Sequence, residues 1–97
     1  MPPTTIHTLW LEYTTGIGGR KAARLFTTQE RGQNKFKYSR RKVVWDTISG
    51  LIRAGLSADV ACDRLYAVYG QNMSVTRIIN ALRHDKKTMN VHPSLQF

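Results

Sequence analysis

Serine and glycine cut the second half of this chain into segments of helical length, and that punctuation restricts the fold more than any other feature. Ser39 precedes Val43, Val44, Ile48, Leu51 and Ile52, whose spacing lines one face of an α-helix, and Gly55 stands where a left-handed cap would end it. Trp45 lies beside that stripe as an anchor for the core. Ser57 opens a second segment carrying Val60, Ala61, Leu65 and Val68 or Tyr69, with Asp59 in the first turn to favour the helix dipole and Gly70 at the end. Ser74 opens a third through Val75, Ile78, Ile79 and Leu82. A capping hydroxyl accepts a backbone N–H that the first turn leaves unpaired, so each serine is a physical start signal.

The first half is less regular. Thr5 caps a helix with a stripe of Ile6, Leu9, Trp10 and Tyr13, which stops in Thr15-Gly16-Ile17-Gly18-Gly19. A short helix is predicted from about Arg20 to Gln29, burying Ala22, Leu25 and Phe26. Gly32, Gln33 and Asn34 then read as a polar loop into Lys35-Phe36-Lys37-Tyr38. From Lys86 onward there is Pro93 and no periodicity. With no β-type alternation anywhere, the prediction is an all-α bundle of about five short helices. It occupies residues 4–87 as one domain, with a tail over 88–97, and its last two helices resemble a helix-turn-helix across Gly70 to Ser74.

Several function classes drop out. One cysteine, Cys62, in an apolar stretch allows neither a disulfide framework nor an all-cysteine metal site; it reads as a small core residue in a reducing compartment. His7, His84 and His92 are too scattered to suggest zinc, so no metal or other cofactor is expected. Asp59 and Asp63, an i, i+4 pair near Arg64, suit surface pairing better than acid catalysis. The Gly16–Arg20 stretch lacks the strand and the lysine–serine ending of a phosphate loop; it reads as a helix link, with Gly18 or Gly19 allowing close backbone approach. Trp10 and Trp45, at helical spacing among apolar neighbours, belong to the core. No apolar run reaches the ~18–20 residues that span a bilayer, and the N-terminus lacks signal-peptide regions. Neither an enzyme with a small-molecule substrate nor a membrane partner is expected.

The charge points elsewhere. Between Arg20 and Lys42 stand nine of the fifteen basic residues and one acid, Glu30, so nine minus one places +8 of the chain's formal +9 in this stretch. General solubility favours interspersed signs; a block of one sign suits a polyanion, whose counterions are released on binding. Lys35, Lys37, Arg40, Arg41 and Lys42, with Ser39 among them, alternate with Phe36 and Tyr38, so that the cations can meet phosphates while the rings pack or stack, and Arg20, Lys21 and Arg24 extend the phosphate track. Read from the Ser39 cap, Arg40, Arg41 and Lys42 fall in a first turn, where the dipole disfavours cations unless an anion docks there. The Ser74 helix offers a second surface, Arg77, Asn80 and Arg83 with His84, Lys86 and Lys87 beyond, of which Arg and Asn are shaped for base edges. Which of the two surfaces enters a groove stays open.

Together these residues resemble a known family. Leu9-Trp10-Leu11-Glu12-Tyr13-Thr14 with Gly16-Ile17-Gly18-Gly19 looks like its tryptophan, acid-aromatic and glycine start. Tyr38-Ser39-Arg40-Arg41-Lys42-Val43 followed by Ile48 looks like its basic core, with Phe36 where a typical member carries a second tryptophan. The family is the DNA-binding domain of fungal activators of glycolytic genes, also present in osmostress activators and some transposon-derived proteins, and the resemblance runs from about Leu9 to Leu65. It implies sequence-specific binding of double-stranded DNA in the nucleus, by a transcription regulator or mobile-element protein, without catalysis. The alternatives are an RNA-binding or nonspecific architectural protein, and a basic module for an acidic protein partner. A protein partner or a second copy of the chain stays open.

Overall fold

Three of the four caps predicted from hydroxyl residues form. In the computed structural model, which describes residues 5–17, 19–33 and 35–96, α1 spans Ile6–Thr14, α2 Thr28–Gln33, α3 Lys35–Arg53, α4 Ala58–Tyr69 and α5 Val75–Lys87. Gly18 and Asn34, with residues 1–4 and Phe97, lie outside the described residues. Thr5 Oγ1 accepts the Thr8 amide at 3.0 Å, and the Ser57 and Ser74 hydroxyls accept the Val60 and Arg77 amides at 3.2 Å. Gly70 ends α4 at φ +122°, a left-handed conformation that a side chain resists, and its amide bonds the Tyr66 carbonyl at 2.7 Å. The fold is all-α.

The long α3 is the hub on which α1, α2, α4 and α5 pack. Its Val44, Trp45, Ile48 and Leu51 are buried with Ile6 and Leu9 of α1, Ala61, Cys62 and Leu65 of α4, and Val75, Ile78, Ile79 and Leu82 of α5. Trp45 is more than an anchor beside the stripe. It is 2% exposed, its indole Nε1 donates to the Leu9 carbonyl at 2.9 Å, and its ring stacks on Tyr13 and meets Tyr38 edge-on. Burying an indole with its N–H satisfied gives the full area term without an orphaned donor. Cys62 is buried as read from the sequence, and burial pushes its thiol up to about 12.

Several expectations are corrected. The helix predicted from Arg20 to Gln29 is instead a 3-10 turn at Ala23–Leu25 followed by the separate α2. Ala22 and Phe26 on either side of the turn have ψ near 135°, which stops helix propagation, and Leu25 is left 51% exposed while Ala22 and Ala23 are buried. Thr27 and Glu30 then form a reciprocal capping box: the Glu30 amide donates to the Thr27 hydroxyl and the Thr27 amide to the Glu30 carboxylate. Gly32 and Gln33, read as loop, are therefore the last turn of α2.

Ser39 is not a cap. α3 begins at Lys35, because nothing from there to Val43 interrupts a helix and Tyr38, two turns before Trp45, already packs on the aromatic cluster. Arg40, Arg41 and Lys42 consequently lie beyond the first turn, and the dipole argument built on them lapses; Lys35 and Lys37 occupy that turn. In α4, Val60 is exposed and Cys62 takes the inward position. The end of the chain, aperiodic as expected, is docked: Leu95 is buried in a 3-10 turn at Pro93–Leu95, and Arg64 of α4 donates to the Ser94 carbonyl at 3.1 Å.

Candidate nucleic-acid interface

The two flanks of the N-terminal half of α3 differ. On one flank, α1, the glycine link and the 3-10 turn enclose a cavity of about 230 Å³ lined by Glu12, Arg20, Lys21, Phe26, Lys37, Tyr38, Arg41 and Trp45 among others. Gly16 shapes this side: at φ +83° it turns the chain so tightly that a Cβ there would collide with the Arg20 carbonyl oxygen. Three of the cations on this side, Arg41, Lys21 and Arg24, have intramolecular acceptors. Arg41 Nη1 reaches both carboxylate oxygens of Glu12, at 2.6 and 2.8 Å, with each side chain only 19% exposed. Lys21 donates to Glu30 at 2.8 Å, and that bond, with the Thr27 amide, holds the Glu30 carboxyl below its ordinary range. Arg24 Nε donates to the Thr14 carbonyl at 3.0 Å. The Arg31 guanidinium lies 5.3 Å from the centre of the half-buried Tyr38 ring.

On the other flank α5 packs alongside α3. Burying Val75, Ile78, Ile79 and Leu82 turns Arg77, Asn80, Arg83, His84 and Lys87 to solvent, because the two sets fall on opposite sides of a 3.6-residue helix. Arg40 Nη2 approaches Asn80 Oδ1 at 3.5 Å, so the basic segment and the polar face of α5 meet. Beside this contact an open groove of about 400 Å³ is lined by Ser39, Val43, Arg83, His84, Lys86 and Lys87. Partial burial depresses the Lys86 ammonium below its ordinary range; Asp46 opposes that shift and Lys42 adds to it. Lys42 itself donates to Asp46 at 2.7 Å, which raises its own proton affinity. Among the described residues, no carboxylate is within ion-pair distance of Arg40, Arg77, Arg83, Lys86 or Lys87.

The residues singled out from sequence thus separate into groups. Ser39 and Arg83 line one groove, Arg40 and Asn80 meet beside it, and Arg77 is exposed one turn earlier on α5. Arg20, Lys35 and Lys37 are exposed at or before the start of α3. Lys21, Arg24, Arg41 and Lys42 hold protein acceptors, and Tyr38 serves the aromatic cluster. Sequence reasoning set Lys86 and Lys87 just beyond the second surface and Phe36 among the basic residues, and named none of the three as a contact, although Lys87 follows Asn80 and Arg83 at helical spacing. The capping box of Thr27 and Glu30 was also readable, and would have placed α2 and pushed the start of α3 back.

A family model described as transcriptional activator of glycolytic enzymes matches residues 2–68, a stretch that contains the Leu9–Leu65 region of the resemblance. Neither the curated proteins nor the solved structures give a match.

Proposed function

The chain belongs to the family of transcriptional activators of glycolytic enzymes, which is not an enzyme family, and from that premise we propose that it is a nuclear protein binding double-stranded DNA sequence-specifically through the surface shared by α3 and α5. The observation that carries this reading is the approach of Arg40 to Asn80, which joins two surfaces 40 residues apart in sequence into one. A cationic groove with no carboxylate partners is an unfavourable concentration of like charge until phosphates enter it. Arg77, Asn80 and Arg83 recur at three-residue spacing along one helix, as recognition helices present side chains to successive base edges. In this reading α4 and α5, linked through Gly70 to Ser74, act as a helix-turn-helix-like pair, and Arg20, Lys35 and Lys37 hold flanking phosphates.

The test is selection from a random duplex library at about 150 mM salt, where screening suppresses weak phosphate contacts. Enrichment of one short motif is the expected result. Retention without enrichment would replace sequence-specific binding by an RNA-binding or architectural role, and no retention would point to an acidic protein partner.

A further inference from the structure

Phe36 is 81% exposed, and among the described residues every other phenylalanine, tyrosine and tryptophan is buried or half-buried. The ring stands in the first turn of α3 between Lys35 and Lys37, one helical turn before Arg40 and so on the same side of the helix. Arg40 in turn reaches Asn80, so Phe36 lies at the leading edge of the surface proposed for DNA. It serves no core: the aromatic cluster of α3 is built by Tyr38 and Trp45 on the other flank.

Resting on the reading above, we propose that Phe36 is a wedge that inserts its ring between two stacked base pairs of the bound duplex and selects a step that unstacks easily. Its surroundings favour this occupant. An apolar protein face laid over the ring would strip water from Lys35, Lys37 and Arg40 and offer them no acceptors. A duplex offers phosphates to the cations and flat base faces to the ring at one site. Pyrimidine–purine steps open most readily, so the wedge adds specificity at a position where no hydrogen bond reads a base.

The experiment uses the duplex recovered by selection, with 2-aminopurine placed at successive positions to report unstacking. Wild-type protein should raise the fluorescence at one pyrimidine–purine step. Phe36→Ala should abolish that rise, weaken binding about tenfold (about 1.4 kcal/mol) through loss of one aromatic–base stack, and leave the thermal midpoint unchanged. Phe36→Trp should keep both affinity and the rise. Binding without any fluorescence change in wild type, or an equal change with Phe36→Ala, overturns the wedge while leaving DNA binding in place. If Phe36→Ala instead abolishes self-association in sedimentation and leaves duplex affinity intact, the ring covers a second copy, and the wedge is overturned. A wild-type chain that binds no duplex removes both readings.

Discussion

The two flanks of α3 use their cations in opposite ways. Toward α1, Arg41 is fixed to Glu12, Lys21 to Glu30 and Arg24 to the Thr14 carbonyl, so their charges hold the molecule together. Toward α5, Arg40 meets Asn80, and Arg83, Lys86 and Lys87 line a groove; no carboxylate of the described residues is within ion-pair distance of these cations. Neighbouring positions such as Arg40 and Arg41 end up in different roles because a helix rotates successive side chains by about 100°. Local density of charge therefore identifies the basic segment, and pairing decides which of its side chains are available.

The largest effect should come from removing what holds both flanks. Trp45→Ala deletes a buried indole contacting Tyr13, Tyr38 and Leu9, and should destabilise the fold by about 3–5 kcal/mol in urea unfolding. A loss below about 1 kcal/mol would mean that the aromatic cluster is not the frame of α3. The paired substitution Arg40→Ala with Arg83→Ala acts on the groove alone. It should lower affinity for the selected duplex by roughly 10–100-fold at constant salt, with an unchanged urea midpoint. Unchanged affinity would remove the α3–α5 groove as the DNA surface.

Arg41→Ala should show the reverse signature, a change in stability exceeding its change in affinity. A loss of about 1–2 kcal/mol is expected, between the ~0–1 of exposed ion pairs and the ~3–5 for breaking buried ones, since Glu12 keeps partial access to water. Glu12→Gln sharpens the same point, because it removes the neutralising carboxylate and keeps Arg41. Steeper salt dependence of duplex binding in that variant would show Arg41 held back by its partner, and an unchanged slope would place the whole flank outside the DNA footprint.

Much of the architecture was legible. Thr5, Ser57, Ser74 and Gly70 mark helix ends through hydrogen bonds spanning three or four residues, so the residues that decide them are adjacent in the chain. The same logic misled at Ser39, since a hydroxyl only marks a start when the backbone before it is not already helical, and Lys35–Tyr38 is. At Arg20–Gln29 the apolar spacing of Ala22, Leu25 and Phe26 suggested a face, whereas extended backbone at Ala22 and Phe26 broke it. The basic segment was evident as a segment, but its two sides were not.

Composition and short-range order determined that this chain is helical, where most of its helices begin and end, and that one stretch of it concentrates the positive charge. Only the tertiary structure decided that Arg41 belongs to Glu12, that Arg40 meets Asn80, and that Phe36 is left outside. The pairings join residues 29 and 40 positions apart, and they depend on how α1 and α5 pack across α3. Capping and periodicity act within a few residues, whereas helix packing is set by the summed burial of the whole core, which no local pattern contains.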